Sequence, residues 1–343
     1  MKILKNYDLK NLNTFGIPTK AKFFVEITGE GELNELFKEP LYIGHEKLFL
    51  GEGSNVLFTK DWGGIVVLNK IKGIEILEED SENILIKSMS GVIWHDLVSF
   101  AVDHDYWGIE NLALIPGTVG AAPMQNIGAY GAELKNVLTL VEAYNVNTGE
   151  KRIFSKEECI FGYRDSIFKN SLRNKYFISA ITLRLSKTGK PNTSYKILKE
   201  HLEKNKIEIK NSKNISDAVS EIRRSKLPDP RVIGNAGSFF KNVFVDKDKL
   251  AELRRLYPAM PFFEEDGLSK IPSAWLIEQC GPANGTSWKG YRVGNVGVHH
   301  KQALVLVNHG DGRGQDIKDL ALQIIASVKE KFGLELAPEV NLI

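Results

Sequence analysis

The stretch NLALIPGTVGAAPMQNIGAYGAE, residues 111–133, constrains the fold of this chain more than any other. It is nearly uncharged and broken by six glycines or prolines, so neither a helix nor a strand runs through it. Surface loops of that length are normally polar. An irregular apolar segment must still find partners for its backbone groups. Its small residues let the main chain approach a planar ring or a pyrophosphate closely. The segment therefore reads as a wall laid against other backbone or against a ligand.

The chain has 343 residues and a formal charge of +2. Its length suggests two or three domains with a substantial core. So small a charge excess argues against a dedicated nucleic-acid binder. Two cysteines, Cys159 and Cys280, are too few for a disulfide framework or a Cys-rich zinc site and suit a reducing compartment. The seven histidines show no metal spacing, and no metal is expected. The N-terminus has no apolar secretory core and no run is long enough to span a bilayer, so a cytoplasmic protein is expected.

Runs of branched and aromatic residues predict strands at 21–27, 48–58, 64–69, 83–89, 137–145 and 176–185. Apolar spacing predicts helices near 94–105, 215–225, 247–256, 272–280 and 314–331, with strands near 291–298 and 303–308. Segment 187–226 carries eleven Lys or Arg against five Asp or Glu. It reads as a solvated face with one or two lysines reaching a ligand diphosphate. The whole is α+β with a glycine-lined groove, not a βαβ array.

Several short motifs carry chemistry. In LGEGSNVLF, the run Gly51, Glu52, Gly53, Ser54, Asn55 matches an anion-binding nest of backbone N–H groups, and equally a plain hairpin turn. It lacks the lysine of a Walker loop and the third glycine of a dinucleotide fingerprint. In FGYRDSIFK, Arg164 is suited to gripping a carboxylate with both arms, or to a salt bridge with Asp165. Ser238, in GNAGSFFKN, lacks the following glycine of a nucleophile elbow and has no evident histidine partner.

Taken in order, NTFGI (13–17), GEGSNVLF (51–58), residues 111–131, FGYRDSIFK (161–169), KLPDP (226–230), GNAGSFFKN (234–242), AWLIEQCG (274–281) and APEV (337–340) resemble the UDP-N-acetylenolpyruvoylglucosamine reductase family nearly end to end. The resemblance implies an FAD-binding domain of the vanillyl-alcohol-oxidase (PCMH) type in two subdomains, plus a C-terminal α/β substrate-binding domain. The first subdomain would be 1–65 joined by the tail at about 332–343, the second 66–215, and the substrate domain 216–331. FAD would be held noncovalently, with residues 51–55 around its pyrophosphate and Pro116, Gly117, Ile127 and Gly128 lining the flavin groove. The insertion PNTSYKILKEHL matches the substrate-covering loop of the first of the family's two subtypes.

The implied reaction reduces UDP-N-acetylenolpyruvoylglucosamine to UDP-N-acetylmuramate for peptidoglycan, with NADPH as hydride donor and a monomer as the expected working unit. Arg164, Ser238 and Glu339 match the family's catalytic positions: Arg164 for the substrate carboxylate, Ser238 as proton donor to carbon, and Glu339 as a protonated carboxyl. Tyr195, Lys226 and Asn242 match diphosphate contacts, and Tyr130, Lys289 and Gln302 match further ligand-facing positions. Departures from the family pattern are Val243 in place of a frequent proline, Asn341 in place of a frequent basic residue, and a long 281–300 stretch. A flavin oxidase of the same fold acting on an alcohol or sugar, or a noncatalytic nucleotide-binding protein, stand as alternatives.

Overall fold

In the computed structural model, which describes residues 1–265, 267–283 and 285–343, the chain forms two compact units. The first contains residues 1–7, 21–52 and 62–225; the second contains 8–20, 53–61 and 226–343. Segments 1–65 and 66–215 therefore fall largely within one unit by contact. The tail 332–343 belongs with 226–331 in the other.

The first unit holds two sheets. One runs in the order Leu4–Asp8, Lys20–Ile27, Trp62–Asn69, Lys47–Leu50. Trp62–Asn69 is parallel to both Lys20–Ile27 and Lys47–Leu50. Parallel neighbours need a crossover, and the helix Glu30–Leu36 lies in it with Leu33 and Leu36 buried. A helix with only two buried positions shows too little period to be read from sequence, so this βαβ-like corner was not anticipated.

The other sheet is antiparallel, in the order Lys151–Ser155, Leu138–Asn145, Tyr176–Ser186, Asn83–Met89, Ile74–Glu79. Alternation along NILIKSM buries Ile84, Ile86 and Ser88 on one face. The helix Trp94–Asp103 buries Trp94, Leu97, Val98, Ala101 and Val102, the spacing of a single helical stripe. Each large side chain of that stripe stabilises the fold by about 1.5–3 kcal/mol through burial.

In the second unit, Gly234–Ser238, Val305–Asn308, Val296–Val298 and Arg292–Val293 form an antiparallel sheet in that order. Two expected strands are each divided. The 48–58 run breaks into Lys47–Leu50 and Val56–Leu57, and the 291–298 run folds into a hairpin beside Gly294 at φ 57°. Val243 opens the strand Val243–Val245, which pairs with Leu268–Ile271. In the long 281–300 stretch, Asn284 lies outside the described residues. No helix among the described residues is long and apolar enough to cross a membrane.

The helix Gly314–Phe332 buries Ile317, Leu320, Ala321, Ile324, Val328 and Phe332 and ends at Gly333 in the left-handed region, φ 67°. At its start, a Cβ on Gly314 would lie 1.7 Å from the carbonyl oxygen of Phe58. The two glycines thus serve different needs, one of space and one of backbone conformation. Gly314→Ala is expected to cost about 3 kcal/mol of stability because backbone must move. Gly333→Ala should cost about 1 kcal/mol. Urea unfolding of the two variants measures the difference, and equal losses would contradict it.

Candidate active site

The apolar segment 111–131 is ordered by backbone partners within the first unit. Val119 and Gly120 donate to the carbonyls of Val92 and Ser90, each at 2.8 Å, and the carbonyl of Gly117 accepts from Trp94 at 2.9 Å. Gly117 has φ 116°, and its N–H donates to Glu52 Oε2 at 2.8 Å. A Cβ on Gly51 would lie 2.5 Å from Thr118 Oγ1. The two glycine motifs expected to share one ligand are therefore in direct contact here, tied by the Glu52 carboxylate. Pro116 is exposed beside them. Leu114, at φ 55°, donates its N–H to His95 Nδ1 at 3.2 Å.

Arg164 is placed by the same segment. Asn126 is fully buried at φ 44°. It donates to Glu133 Oε2 and to the Gly162 carbonyl, both at 3.1 Å, and accepts from Lys135 N–H at 3.0 Å. The buried Ser166 hydroxyl donates to the Met124 carbonyl at 2.8 Å. Lys169 Nζ donates to Gln125 Oε1 at 3.1 Å. FGYRDSIFK is thus fastened along residues 124–128. Arg164, itself at φ 51°, donates through Nη2 to the Gly128 carbonyl at 2.7 Å. A Cβ on Gly128 would lie 3.0 Å from Arg164 Nη1, so the guanidinium lies against bare backbone next to Ile127.

Tyr130 and Tyr195 meet edge to face, ring centroids 5.5 Å apart. Burial raises the Tyr130 hydroxyl above its ordinary pKa. One residue here was missed from the sequence. Arg223, on the helix Ser212–Lys226, has a buried Nε with no hydrogen-bond partner among the described residues. Burial lowers its pKa, Arg164 lowers it further, and Tyr130 opposes the shift. A buried guanidinium nitrogen without a hydrogen-bond partner is unfavourable in itself. Its place within an ordinary basic helix, IRRSK, hid it.

The second unit gathers another set. NTFGI is its brace: Asn13 Nδ2 donates to the carbonyls of Leu9 and Ile17 at 2.9 and 3.0 Å. Thr14 N–H reaches the Gly53 carbonyl at 3.1 Å, and the Thr14 carbonyl accepts from Asn235 at 3.0 Å. Gly53 has φ 62°, and a Cβ there would lie 2.0 Å from the Leu12 carbonyl oxygen.

Ser238 ends the strand Gly234–Ser238, after a register shift and Gly237 at φ 68°. Its hydroxyl makes no side-chain hydrogen bond among the described residues. Glu339 N–H donates to the Phe239 carbonyl at 2.7 Å, and the Glu339 carbonyl accepts from Asn55 Nδ2 at 3.3 Å. Asn341 Nδ2 donates to the Asn55 carbonyl at 3.0 Å. The chain end is thereby threaded between residues 55–57 and 239–241, which joins Asn55 to Glu339 and ties Glu339 to the residue after Ser238.

Other predicted residues of this unit have structural partners. Asn242 Oδ1 accepts from Ser273 N–H at the start of the helix Ser273–Glu278, at 3.1 Å. Lys289 Nζ pairs with Glu278 at 2.7 Å. Gln302 Oε1 accepts from Leu304 N–H at 3.3 Å in its own turn. Lys226 ends the helix Ser212–Lys226 and is partly buried.

Family comparison bears directly on this arrangement. Residues 21–154 match an FAD binding domain, and 229–343 match the UDP-N-acetylenolpyruvoylglucosamine reductase C-terminal domain. The UDP-N-acetylenolpyruvoylglucosamine reductase of Amoebophilus asiaticus is 47% identical over 344 residues, covering 100% of both chains. That of Flavobacterium johnsoniae is 43% identical, again over 100% of both. The chain belongs to the UDP-N-acetylenolpyruvoylglucosamine reductase family. The solved reductase of Thermus caldophilus shares the fold, with TM-score 0.65 and 21% identity over 99% of this chain and 98% of that one.

This family member is a flavin-dependent oxidoreductase with an α+β fold and an FAD-binding domain of the PCMH type. Its residues fit such a group. The amides of Gly53 and Ser54 donate no hydrogen bond among the described residues, as an anion-binding nest requires. Gly117 and Gly128 present backbone without a side chain.

The His95 contact makes the turn at Leu114 sensitive to acid. Burial lowers the His95 pKa, Asp96 opposes this, and Arg224 and Arg223 lower it further. A lowered folded-state pKa means that the stabilisation is full above the unfolded value of about 6.5 and is lost as pH falls below it. Protonation at Nδ1 also removes the acceptor for Leu114 N–H. Thermal melts should therefore weaken between pH 7 and pH 5.5, with His299 and His309, also lowered by burial, acting in the same direction. His95→Asn keeps an acceptor oxygen and should flatten part of that slope; an unchanged slope would contradict the assignment.

Proposed function

We propose that this reductase converts UDP-N-acetylenolpyruvoylglucosamine to UDP-N-acetylmuramate with NADPH as donor, acting as a monomer with FAD bound noncovalently. The observation that supports the reading is the Glu339–Phe239 backbone bond, which ties the segment bearing Glu339 to the residue that follows Ser238. Reducing an enolpyruvyl ether requires one proton to be delivered to carbon while charge builds on a carboxylate. A hydroxyl and a carboxyl contributed by neighbouring segments suit that need.

Bound FAD supplies hydride transfer, from the reduced nicotinamide to the flavin and then to the vinyl carbon of the sugar nucleotide. Residues 51–55 are assigned to its pyrophosphate, and Pro116, Gly117, Ile127 and Gly128 to its ring. Arg164 keeps a permanent positive charge and is oriented by Gly128, which suits it to the substrate carboxylate. Ser238 is the proton donor to carbon. A serine is a weak acid, so the step depends on the reactivity of an enolate and on Glu339, whose protonated carboxyl shares the developing charge.

Tyr195 and Lys226 are assigned to the diphosphate that NADPH and the sugar nucleotide have in common. Asn242 and Tyr130 are assigned to the same ligands, and Lys289 and Gln302 to more distant contacts. Lys289 would have to leave Glu278 to reach them. In this scheme the flavin is held by 1–65, 66–215 and the tail after 332, and the sugar nucleotide by 216–331.

The test separates the two half-reactions. Purified protein should be yellow, bleach with NADPH, and recover on adding the enolpyruvyl sugar nucleotide. In Ser238→Ala, bleaching should proceed near the normal rate while anaerobic recovery slows by about 100-fold or more. Equal slowing of both steps would assign Ser238 to positioning the flavin and would overturn the proton-donor role.

A further inference from the structure

We propose that Asn111 and Asn192 form a clasp that fixes the Tyr195 ring for diphosphate binding and act as positioning residues for both substrates. The inference deepens the assignment of Tyr195 made above and rests on it.

The clasp begins with a turn. Tyr130 and Gly131 have φ of 48° and 83° and join the two-residue strands Gly128–Ala129 and Ala132–Glu133. Two successive positive φ values in a two-residue hairpin loop are the signature of a type I′ turn. For tyrosine this conformation costs about 1 kcal/mol, so something must hold it. The tip's carbonyls have no strand partner, and two asparagine side chains receive them.

Asn111 is 1% exposed. Its Nδ2 donates to the carbonyls of Tyr130 and Asn192, each at 2.8 Å. Asn192 Nδ2 returns a bond to the Gly131 carbonyl at 2.9 Å. One buried amide therefore grips the hairpin tip and the basic insertion together, and a second amide closes the ring. Asn192 Oδ1 then accepts from Ser194 N–H at 3.2 Å and from Ser194 Oγ at 2.7 Å, which directs the chain into Tyr195.

Immediately afterwards the helix Lys196–Lys204 begins, anchored by buried Leu198 and Leu202. Tyr195 is thus held three residues before and three residues after itself. Yet the residue is 42% exposed, and its ring meets that of Tyr130 edge-on. A side chain so fixed at its base and open at its tip is prepared to meet a ligand at little entropic cost.

The experiment uses the full-length flavoprotein carrying Asn192→Ala. Loss of the three hydrogen bonds of the Asn192 side chain should raise KM for NADPH and for the sugar nucleotide together, by about three- to tenfold, with kcat nearly unchanged. An N-alkyl dihydronicotinamide has no diphosphate and should reduce the flavin of variant and parent at the same rate. Unchanged KM values, or an equal loss with the simple dihydronicotinamide, would overturn the clasp, the latter because it marks general damage to the flavin wall. Tyr195→Ala serves as the reference. If it leaves both KM values unchanged, the diphosphate role of Tyr195 fails first and the clasp with it. If it raises them and Asn192→Ala does not, only the clasp fails.

Discussion

Backbone satisfaction along residues 111–131 is the constraint on which the first unit depends. An apolar segment whose regular structure is limited to short 3-10 turns and the two-residue strand Gly128–Ala129 has to find other partners for its remaining buried N–H and C=O groups. It finds them in the turn at 90–94, in the Glu52 carboxylate and in the His95 ring. Each contact also draws a neighbouring motif into place. Glu52 brings the 51–55 loop to Gly117, and Asn126 brings the Arg164 turn to Gly128. The side chains that suggest chemistry are arranged by groups whose first task is to satisfy a main chain.

The second unit solves a different problem with the same means. Its N-terminal brace, the Gly53 loop and the chain end are far apart in sequence, and joining them costs loop-closure entropy. NTFGI offsets this by presenting carbonyls and an amide to several segments, with Asn308 Nδ2 also donating to the Phe15 carbonyl at 2.8 Å. Asn341 shows how a departure from the family pattern is absorbed. Its amide closes on the Asn55 carbonyl and stabilises the last strand directly.

Charge in the first unit follows from burial. Arg164 and Arg223 are like charges on separate elements, and burial together with that repulsion depresses the Arg223 pKa. An arrangement unfavourable in the protein alone becomes favourable with a carboxylate or phosphate between the cations. Tyr130 links this charge to the insertion that bears Tyr195, because its ring meets that tyrosine and its carbonyl is held by Asn111.

Much of this was legible in the sequence where a local rule applied. The stripe of the helix Trp94–Asp103, the alternation of Asn83–Met89 and the long helix Gly314–Phe332 follow from apolar spacing. The glycine motifs and Arg164, Ser238 and Glu339 were marked by residue type and by family resemblance. The crossover at Glu30–Leu36, the two broken strands and the buried, unpartnered Nε of Arg223 were not. Each depends on partners distant in sequence: a short helix acquires its meaning from the sheet it bridges, a glycine turn from the carbonyl pressed against it, and a basic residue from the helix face that tertiary packing turns inward. The sequence by itself determined which groups are available and which backbone must approach closely. Only the tertiary structure decided which of them meet, because hydrogen bonds such as Glu339 to Phe239 and Asn111 to Asn192 join segments that no local pattern connects.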